Sequence, residues 1–106
     1  MAIHELGKIT AREIIPGFDG RFIHTDSMTA AFWEIREGSE LPLHAHPHEQ
    51  VTIVREGKLF LSMNDENRIL EPGMVMTIPS NAVHSGRAIT DCKVLDIFCP
   101  VREDYR

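Results

Sequence analysis

The amino-acid sequence predicts a single all-β domain. Short extended runs recur along the chain, and Gly, Pro, Asn or Asp turns interrupt them every ~8–12 residues, a pattern typical of sandwiches and barrels. Helical periodicity is nearly absent, and TAREII (10–15) is the one segment that could form a helical turn. The 106 residues are enough for one hydrophobic core and too few for two, so we expect one domain over 1–106.

Six runs are predicted as strands, and a turn signal follows each of them. The runs are AAFWEIRE (30–37), VTIVRE (51–56), KLFLSM (58–63), RILE (68–71), MVMTI (74–78) and KVLDIF (93–98). The turn signals are Gly38, Gly57, NDEN (64–67), Pro72-Gly73, PSN (79–81) and Cys99-Pro100. Because only Gly57 separates the second run from the third, we expect these two runs to form a hairpin across Glu56-Gly57.

Side-chain alternation shows which residues share a face of a strand, since residues i and i+2 point the same way. The residues that share faces are His44 with His46, Gln50 with Thr52, and Asp96 with Val94 and Phe98. One face of the last strand must point into the domain. Alternation alone does not show which face that is. If it is the Asp96 face, that carboxylate needs a hydrogen-bonding partner or a chemical role.

Composition excludes several classes of function. The net charge is -5 and no basic block occurs, which argues against a nucleic-acid partner. No apolar run reaches membrane-spanning length, and the start, MAIHELGKIT, lacks the apolar core of a signal peptide, so we expect no membrane partner and a cytoplasmic location. Cys92 and Cys99 are too few for a disulfide scaffold, and we expect reduced thiols, at least one of them packed.

The stretch LPLHAHPHEQ (41–50) places His44, His46 and His48 at alternate positions. Taken alone, such a stretch is equally typical of a metal-binding edge and of a solvated loop. The flanking residues favour the metal-binding edge, because together with the histidines they match the spacing of a known sequence motif.

Two spaced motifs carry a resemblance to a known family. The first is Gly38-x5-His44-x-His46-x3-Gln50-x6-Gly57, and the second is Gly73-x5-Pro79-x4-His84. These spacings resemble the two signature motifs of the cupin superfamily, whose fold is a double-stranded β-helix, or jelly-roll barrel. The sequence departs from the family pattern at three positions: Gln50 replaces a Glu, with Glu49 one residue out of phase, Asn81 replaces a Gly and Ala88 replaces an Asn. None of these departures removes a histidine.

The cupin resemblance implies a metal site made by His44, His46, Gln50 and His84. Imidazole nitrogens suit one divalent transition metal such as Ni, Zn, Fe, Mn or Co, and the Gln50 carbonyl oxygen can serve as a neutral fourth ligand. A neutral ligand set leaves the ion's charge uncompensated, which favours an anionic or enolate-like substrate oxygen. His48 is expected near the site without a defined role, and the alternative for the cluster is a cupin that has lost its metal.

The C-terminal VLDIFCPVREDYR (94–106) extends the resemblance through the pattern Asp96-x-Phe98-x3-Arg102. A small cupin with these features resembles the pectin degradation protein KdgF group, which implies conversion of 4,5-unsaturated monouronates into linear 5-keto-4-deoxyuronate. The resemblance implies Asp96 and Arg102 as catalytic residues, and Phe98, Arg102 and Thr52 as contacts of a small anionic sugar acid. The alternative is an Asp96 bonded to a backbone amide and, apart from Arg102, a REDYR (102–106) tail in solvent.

Two other functions remain open at the level of sequence. One is a metal-dependent dioxygenase of the quercetinase or diketone-cleaving type, which would consume oxygen. The other is a sugar-binding cupin without turnover. Since residues 1–29 are too many for one strand, we also expect this segment to contribute to a homodimer, as cupins often form dimers.

Overall fold

The chain folds into two antiparallel sheets that face each other as a jelly roll. The computed structural model describes residues 1–106 and contains ten strands. The strands are β1 (Arg12–Ile15), β2 (Phe18–His24), β3 (Thr29–Ile35), β4 (Glu40–His44), β5 (Glu49–Glu56), β6 (Leu59–Met63), β7 (Glu66–Leu70), β8 (Val75–Ile78), β9 (His84–Ala88) and β10 (Cys92–Cys99). One sheet has the order β1-β2-β3-β10-β5-β8 and the other β4-β9-β6-β7. The predicted all-β fold is therefore confirmed.

Two short 3₁₀ helices complete the structure, at Leu6–Lys8 and Glu103–Tyr105. Neither has the length or the apolar character needed to cross a membrane. TAREII (10–15), the one segment that could have formed a helical turn, does not form one, because residues 12–15 pair with β2 as an edge strand. Residues 1–29 thus supply β1 and β2 to the chain's own sheet, and their use in a homodimer stays a prediction.

The predicted hairpin across Glu56-Gly57 is also wrong. β5 lies in the six-stranded sheet and β6 in the four-stranded sheet, so Gly57 is a corner between sheets. A strand-Gly-strand pattern is common to a hairpin and to a corner, which is why the sequence did not separate them. The tight hairpin of this region joins β6 to β7 at Asn64 and Asp65, both of which have positive φ angles.

The interior changes character along the axis of the roll. Apolar side chains from both sheets form the core, including Trp33, Val54, Leu61 and Val94. At the other end the buried residues become polar: they are Thr29, His46, Gln50, Thr52, His84 and Arg102. Polar groups lose hydration on burial, so a cluster of them needs internal partners or a ligand. This polar end is where a functional site is to be sought.

Alternation along β10 resolves the question that the sequence left open. Val94 and Phe98 are buried, and with Asp96 they line an interior cavity. The Asp96 face is therefore the inner face. Cys92 is buried and Cys99 exposed, both as free thiols, which agrees with the expectation for the two cysteines.

We predict that Gly57→Ala destabilises the fold more than Gly38→Ala does. Both glycines have left-handed φ angles, +86° and +81°, which cost any other residue about 1–2 kcal/mol. A Cβ at Gly57 would also overlap the Asp91 carbonyl oxygen, whereas nothing lies within 4 Å of one at Gly38. Urea denaturation followed by circular dichroism measures the two free energies of unfolding, and equal losses would contradict this account of the corner.

Candidate metal centre and active site

The three motif histidines meet at the polar end of the roll, although the chain separates them widely. His44 ends β4 and His84 begins β9, and these two residues are direct partners in the β4–β9 pairing. His46 follows two residues after His44 and turns inward with it. The ring centroids of His44 and His84 are 4.2 Å apart, and those of His46 and His84 are 5.1 Å apart. One nitrogen from each of the three rings lies within 4.8 Å of the others, a spacing that could hold one metal ion.

Backbone carbonyls orient all three imidazoles. Each Nδ1 lies within hydrogen-bonding distance of a carbonyl oxygen two residues away: Pro42 for His44 at 2.7 Å, His48 for His46 at 3.0 Å, and Ala82 for His84 at 2.9 Å. A carbonyl oxygen only accepts, so Nδ1 carries the hydrogen and a neutral ring has its lone pair on Nε2. This is the tautomer that a metal-ligating histidine adopts.

His84 Nε2 is the observation that tests whether a metal fits. This atom is buried and has no hydrogen-bonding partner in the protein. A buried nitrogen lone pair without a donor costs free energy, which a coordinate bond to a cation would offset. Burial also lowers the pKa of His84 and of His46, and the nearby Arg102 charge lowers that of His46 further. Both shifts favour the neutral rings that metal coordination requires, and the cluster fits a transition-metal ion.

Gln50 completes the cluster from β5. Its Oε1 lies 3.1 Å from His46 Nε2, and the residue is 7% exposed. An amide oxygen in this position can bind a cation beside the imidazoles. Glu49, the neighbouring carboxylate, points away and is exposed. The structure thus brings together the four residues of the implied ligand set, and none of them is a carboxylate.

Asp96 lies on the same cavity, where two donors hold its carboxylate. Thr52 Oγ1 donates to Oδ1 at 2.7 Å, and Trp33 Nε1 donates to Oδ2 at 3.0 Å. Burial raises the pKa of Asp96 to about 6, although these hydrogen bonds act in the opposite direction. Both partners of the Asp96 carboxylate are side chains, so the alternative in which it bonds a backbone amide is wrong. Asp96 can therefore exchange a proton near neutral pH.

Arg102 is buried, with 8% of its surface exposed, although it lies in the C-terminal tail. Its guanidinium lies between two aromatic rings, 4.6 Å from the Phe98 centroid and 4.1 Å from that of Tyr105. Asp104 accepts from Nε at 3.0 Å and from Nη2 at 2.8 Å. Asp104 therefore occupies one edge of the guanidinium that we expected to contact an anionic sugar acid, and Nη1 lies outside this pair.

The REDYR tail is only partly in solvent, contrary to the simplest expectation for it. Tyr105 and Asp104 line the cavity with Arg102. Tyr105 stacks on Phe22 at 4.7 Å and meets Trp33 edge-on at 5.7 Å. No periodic signal in the sequence indicates this packing, because it depends on where the tail crosses β2 and β3.

The remaining histidines lie outside the metal cluster. His48 Nε2 lies 3.3 Å from the Val101 carbonyl, and the His48 carbonyl in turn accepts from His46. His48 therefore supports a neighbour of the site. His24 Nδ1 pairs with Thr29 Oγ1 at 2.8 Å, and His4 is exposed. Thr52 lines the cavity, but Asp96 and Gln50 both engage its hydroxyl group.

These groups surround one cavity of about 320 Å³. Its polar wall carries the imidazoles, Gln50, Asp96 and Arg102, and its apolar wall includes Ile35, Leu41 and Leu59. This volume is at the small end for ligand sites, which suits a compact ligand. A cluster that could hold a cation, an acid with a raised pKa and a guanidinium therefore line the same cavity.

Comparison with known proteins identifies the family. The family model "Cupin domain" matches residues 31–98, which is more than half of the chain. This chain is a cupin. Among curated proteins, none matches the sequence. The jelly-roll barrel and the cupin resemblance predicted from the two motifs are thereby confirmed.

Solved cupin structures resemble the chain over most of its length. KdgF from Halomonas sp. is 25% identical with a TM-score of 0.94, over 100% of this chain and 99% of that one. An RmlC-like cupin from Shewanella frigidimarina is 23% identical with a TM-score of 0.94, over 100% and 96% of the two chains. A predicted oxalate decarboxylase from Thermotoga maritima is 17% identical with a TM-score of 0.83, over 93% and 99%. The resemblance to small KdgF-like cupins is confirmed.

We predict that His84→Ala abolishes stoichiometric metal binding. Removing a ligand should lower affinity by more than the roughly 10–100-fold that loss of an outer hydrogen-bonding partner costs. Elemental analysis of the purified proteins and calorimetric titration of Co²⁺ into the chelator-treated proteins provide the measurement. His4→Ala is the matched control, because His4 is exposed and outside the cluster. Unchanged metal content in His84→Ala would refute the cluster as the binding site.

A second prediction concerns the pH dependence of stability in metal-free protein. The pKa of Asp96 in the fold, about 6, lies above that of an exposed carboxyl, so the folded chain binds this proton more tightly than the unfolded chain. The resulting stability is fully present below about pH 4 and is lost as pH rises through about 6. From pH 5 to pH 8 the parent should lose roughly 1–2 kcal/mol relative to Asp96→Asn. Urea denaturation of both proteins across this range measures the difference, and parallel curves would show that Asp96 titrates normally.

Proposed function

We propose that this cupin converts 4,5-unsaturated monouronates, of the kind released from pectin or alginate, into linear 5-keto-4-deoxyuronate. The observation that carries the proposal is that one cavity holds three imidazoles with a neutral amide on one side and Asp96 with Arg102 on the other. The full-length likeness to KdgF from Halomonas sp. supports it. The reaction is an isomerisation that needs no oxidant and no second substrate.

The substrate is a cyclic hemiacetal with a double bond between C4 and C5. Opening the ring removes the C1 hydroxyl proton, breaks the C1–O5 bond and leaves an aldehyde at C1 and an enolate at C5. Protonation at C4 then gives the ketone at C5. His44, His46, Gln50 and His84 would hold one divalent transition metal, which supplies a Lewis acid for negative charge on a substrate oxygen. Because these ligands are neutral, they would leave the positive charge of the metal uncompensated and available to the substrate oxygen.

Asp96 moves the proton in this scheme. As a carboxylate it accepts the hydroxyl proton released at C1 during ring opening, and as an acid it donates a proton to C4, so the proton count balances. A pKa of about 6 keeps both forms accessible near neutral pH. Trp33 and Thr52 hold the carboxylate in place through their two hydrogen bonds. Positioned acid–base groups of this kind contribute roughly 10²–10⁴-fold in rate.

Arg102 and Phe98 orient the substrate. The bidentate pair with Asp104 demonstrates that this guanidinium has the geometry to bind a carboxylate. The substrate carboxylate would approach Nη1, while Asp104 retains the other edge. Phe98 packs between Arg102 and His46, 5.7 Å from the His46 ring, and forms an apolar wall between the two polar groups. Thr52 lies at the cavity wall within reach of the same substrate.

The apolar wall of the cavity favours a second candidate. Ile35, Leu41 and Leu59 would suit a diketone or flavonoid-like substrate of a metal-dependent dioxygenase better than they suit a sugar. That reaction consumes oxygen, whereas the proposed isomerisation does not. Binding of uronate without turnover would instead indicate a sugar-binding cupin.

The test of this proposal uses an unsaturated galacturonate generated by a lyase. We expect the metal-loaded protein to speed the loss of ultraviolet absorbance above the spontaneous rate, and Asp96→Asn to lower kcat by roughly 10²–10⁴-fold. Asp26→Asn is the matched control, since Asp26 is an exposed turn residue outside the cavity. Undiminished turnover by Asp96→Asn would contradict its role.

The same samples separate the alternatives. An oxygen electrode should record no uptake during uronate conversion. Oxygen consumption with a diketone, together with no uronate turnover, would favour the dioxygenase. Calorimetric binding of uronate with no turnover in any metal form would leave a binding protein.

A further inference from the structure

The side chain of Thr52 connects the two halves of the site. It is 2% exposed, accepts from Gln50 Nε2 at 2.9 Å and donates to Asp96 Oδ1 at 2.7 Å. A hydroxyl group has a single hydrogen, so the direction of one of these bonds determines the direction of the other. With its hydrogen on Asp96, Thr52 offers Gln50 only a lone pair.

This lone pair selects one of the two orientations of the Gln50 amide. In the observed orientation the NH₂ group faces Thr52 and the carbonyl oxygen faces His46. In the opposite orientation the NH₂ group would donate to His46 Nε2 and occupy the lone pair that a cation needs. The carbonyl oxygen would then face the Thr52 oxygen without a hydrogen between them, which is unfavourable.

The observed orientation leaves two acceptors facing each other. His46 Nδ1 carries its hydrogen toward the His48 carbonyl, so Nε2 presents a lone pair 3.1 Å from Gln50 Oε1. Without a proton between them these atoms repel, and a cation bound to both removes the repulsion. The hydrogen bonds of Thr52 therefore maintain an arrangement that favours a cation over the competing internal hydrogen bond.

We propose that Thr52 is a positioning residue for the metal site, which it serves by keeping the carbonyl oxygen of Gln50 turned toward the histidines. The proposal rests on the metal ligands of the proposed function and is independent of the uronate reaction. Thr52 does not touch the ion. Its effect on affinity passes through the Gln50 amide, and a variant without the hydroxyl group allows that amide to turn over and cap His46.

The experiment measures the affinity of Co²⁺ for chelator-treated proteins by calorimetry, with the visible absorption of bound Co²⁺ as a report on its ligands. Thr52→Val keeps the shape and β-branching but lacks the hydroxyl group. We expect it to bind Co²⁺ roughly 10–100-fold more weakly than the parent and to alter the absorption spectrum. Thr52→Ser retains the hydroxyl group and should stay within about threefold of the parent.

Repeating the Thr52→Val substitution in the Gln50→Glu variant separates an effect on the orientation of the Gln50 amide from general damage to the fold. A carboxylate has two equivalent oxygens and no wrong orientation, so Thr52→Val made in Gln50→Glu should cost less than about threefold in Co²⁺ affinity. Equal losses in both backgrounds would overturn the proposal. If Thr52→Val does not fold, as judged by circular dichroism, the comparison of Thr52→Ala with Thr52→Ser replaces it.

Failure of this proposal and failure of the proposed function give different results. Unchanged Co²⁺ affinity in Thr52→Val would refute the role of Thr52 and leave the uronate reaction standing. Metal binding that depends on Thr52 in a protein that does not turn over uronate would refute the reaction alone. Absence of Co²⁺ binding by the parent would overturn both.

Discussion

The antiparallel pairing of β4 with β9 is the contact on which the site depends. It sets His44 directly opposite His84, so that two segments far apart in the chain present imidazoles to the same point. The backbone also fixes the ring orientation, because carbonyl oxygens two residues away bind each Nδ1. Backbone geometry thus supplies both the position and the tautomer of the ligands. A slip of one residue in this register would turn one imidazole to the outer face.

The polar end of the interior is stable because its groups satisfy one another in series. Trp33 donates to Asp96, Thr52 donates to the other carboxylate oxygen, and Gln50 donates to Thr52. This series ends at the imidazoles, where His84 Nε2 has no partner. Gln50 Oε1 and His46 Nε2 also face each other there without a hydrogen between them, and His48 Nδ1 next to the cluster has no partner either. An incomplete buried network is unfavourable. A cation bound among the imidazoles would satisfy the lone pairs of His84, His46 and Gln50.

The acid and the guanidinium are tuned by different means. Burial keeps the pKa of Asp96 near neutrality, and its two neutral donors limit that rise. Arg102 keeps its charge because Asp104 and two aromatic rings accommodate it away from bulk water. The site therefore contains an acid that can exchange its proton beside a cation that cannot. Such a pair suits chemistry on an anionic substrate.

Alternation and turn spacing were sufficient for the all-β fold, because both are properties of residues close together in the chain. The cupin family and the set of four residues that converge came from the resemblance of two motifs to a known pattern. The inward face of Asp96, the corner at Gly57 and the packing of Tyr105 against Phe22 and Trp33 could not be predicted in this way. Each depends on which strands meet, and a strand's own residues say little about its partners. The Arg102–Asp104 pair and the series through Thr52 likewise arise only once β3, β5, β10 and the C-terminal segment are packed together. The sequence pattern therefore identified which functional side chains are present, and long-range packing determined how those side chains are oriented.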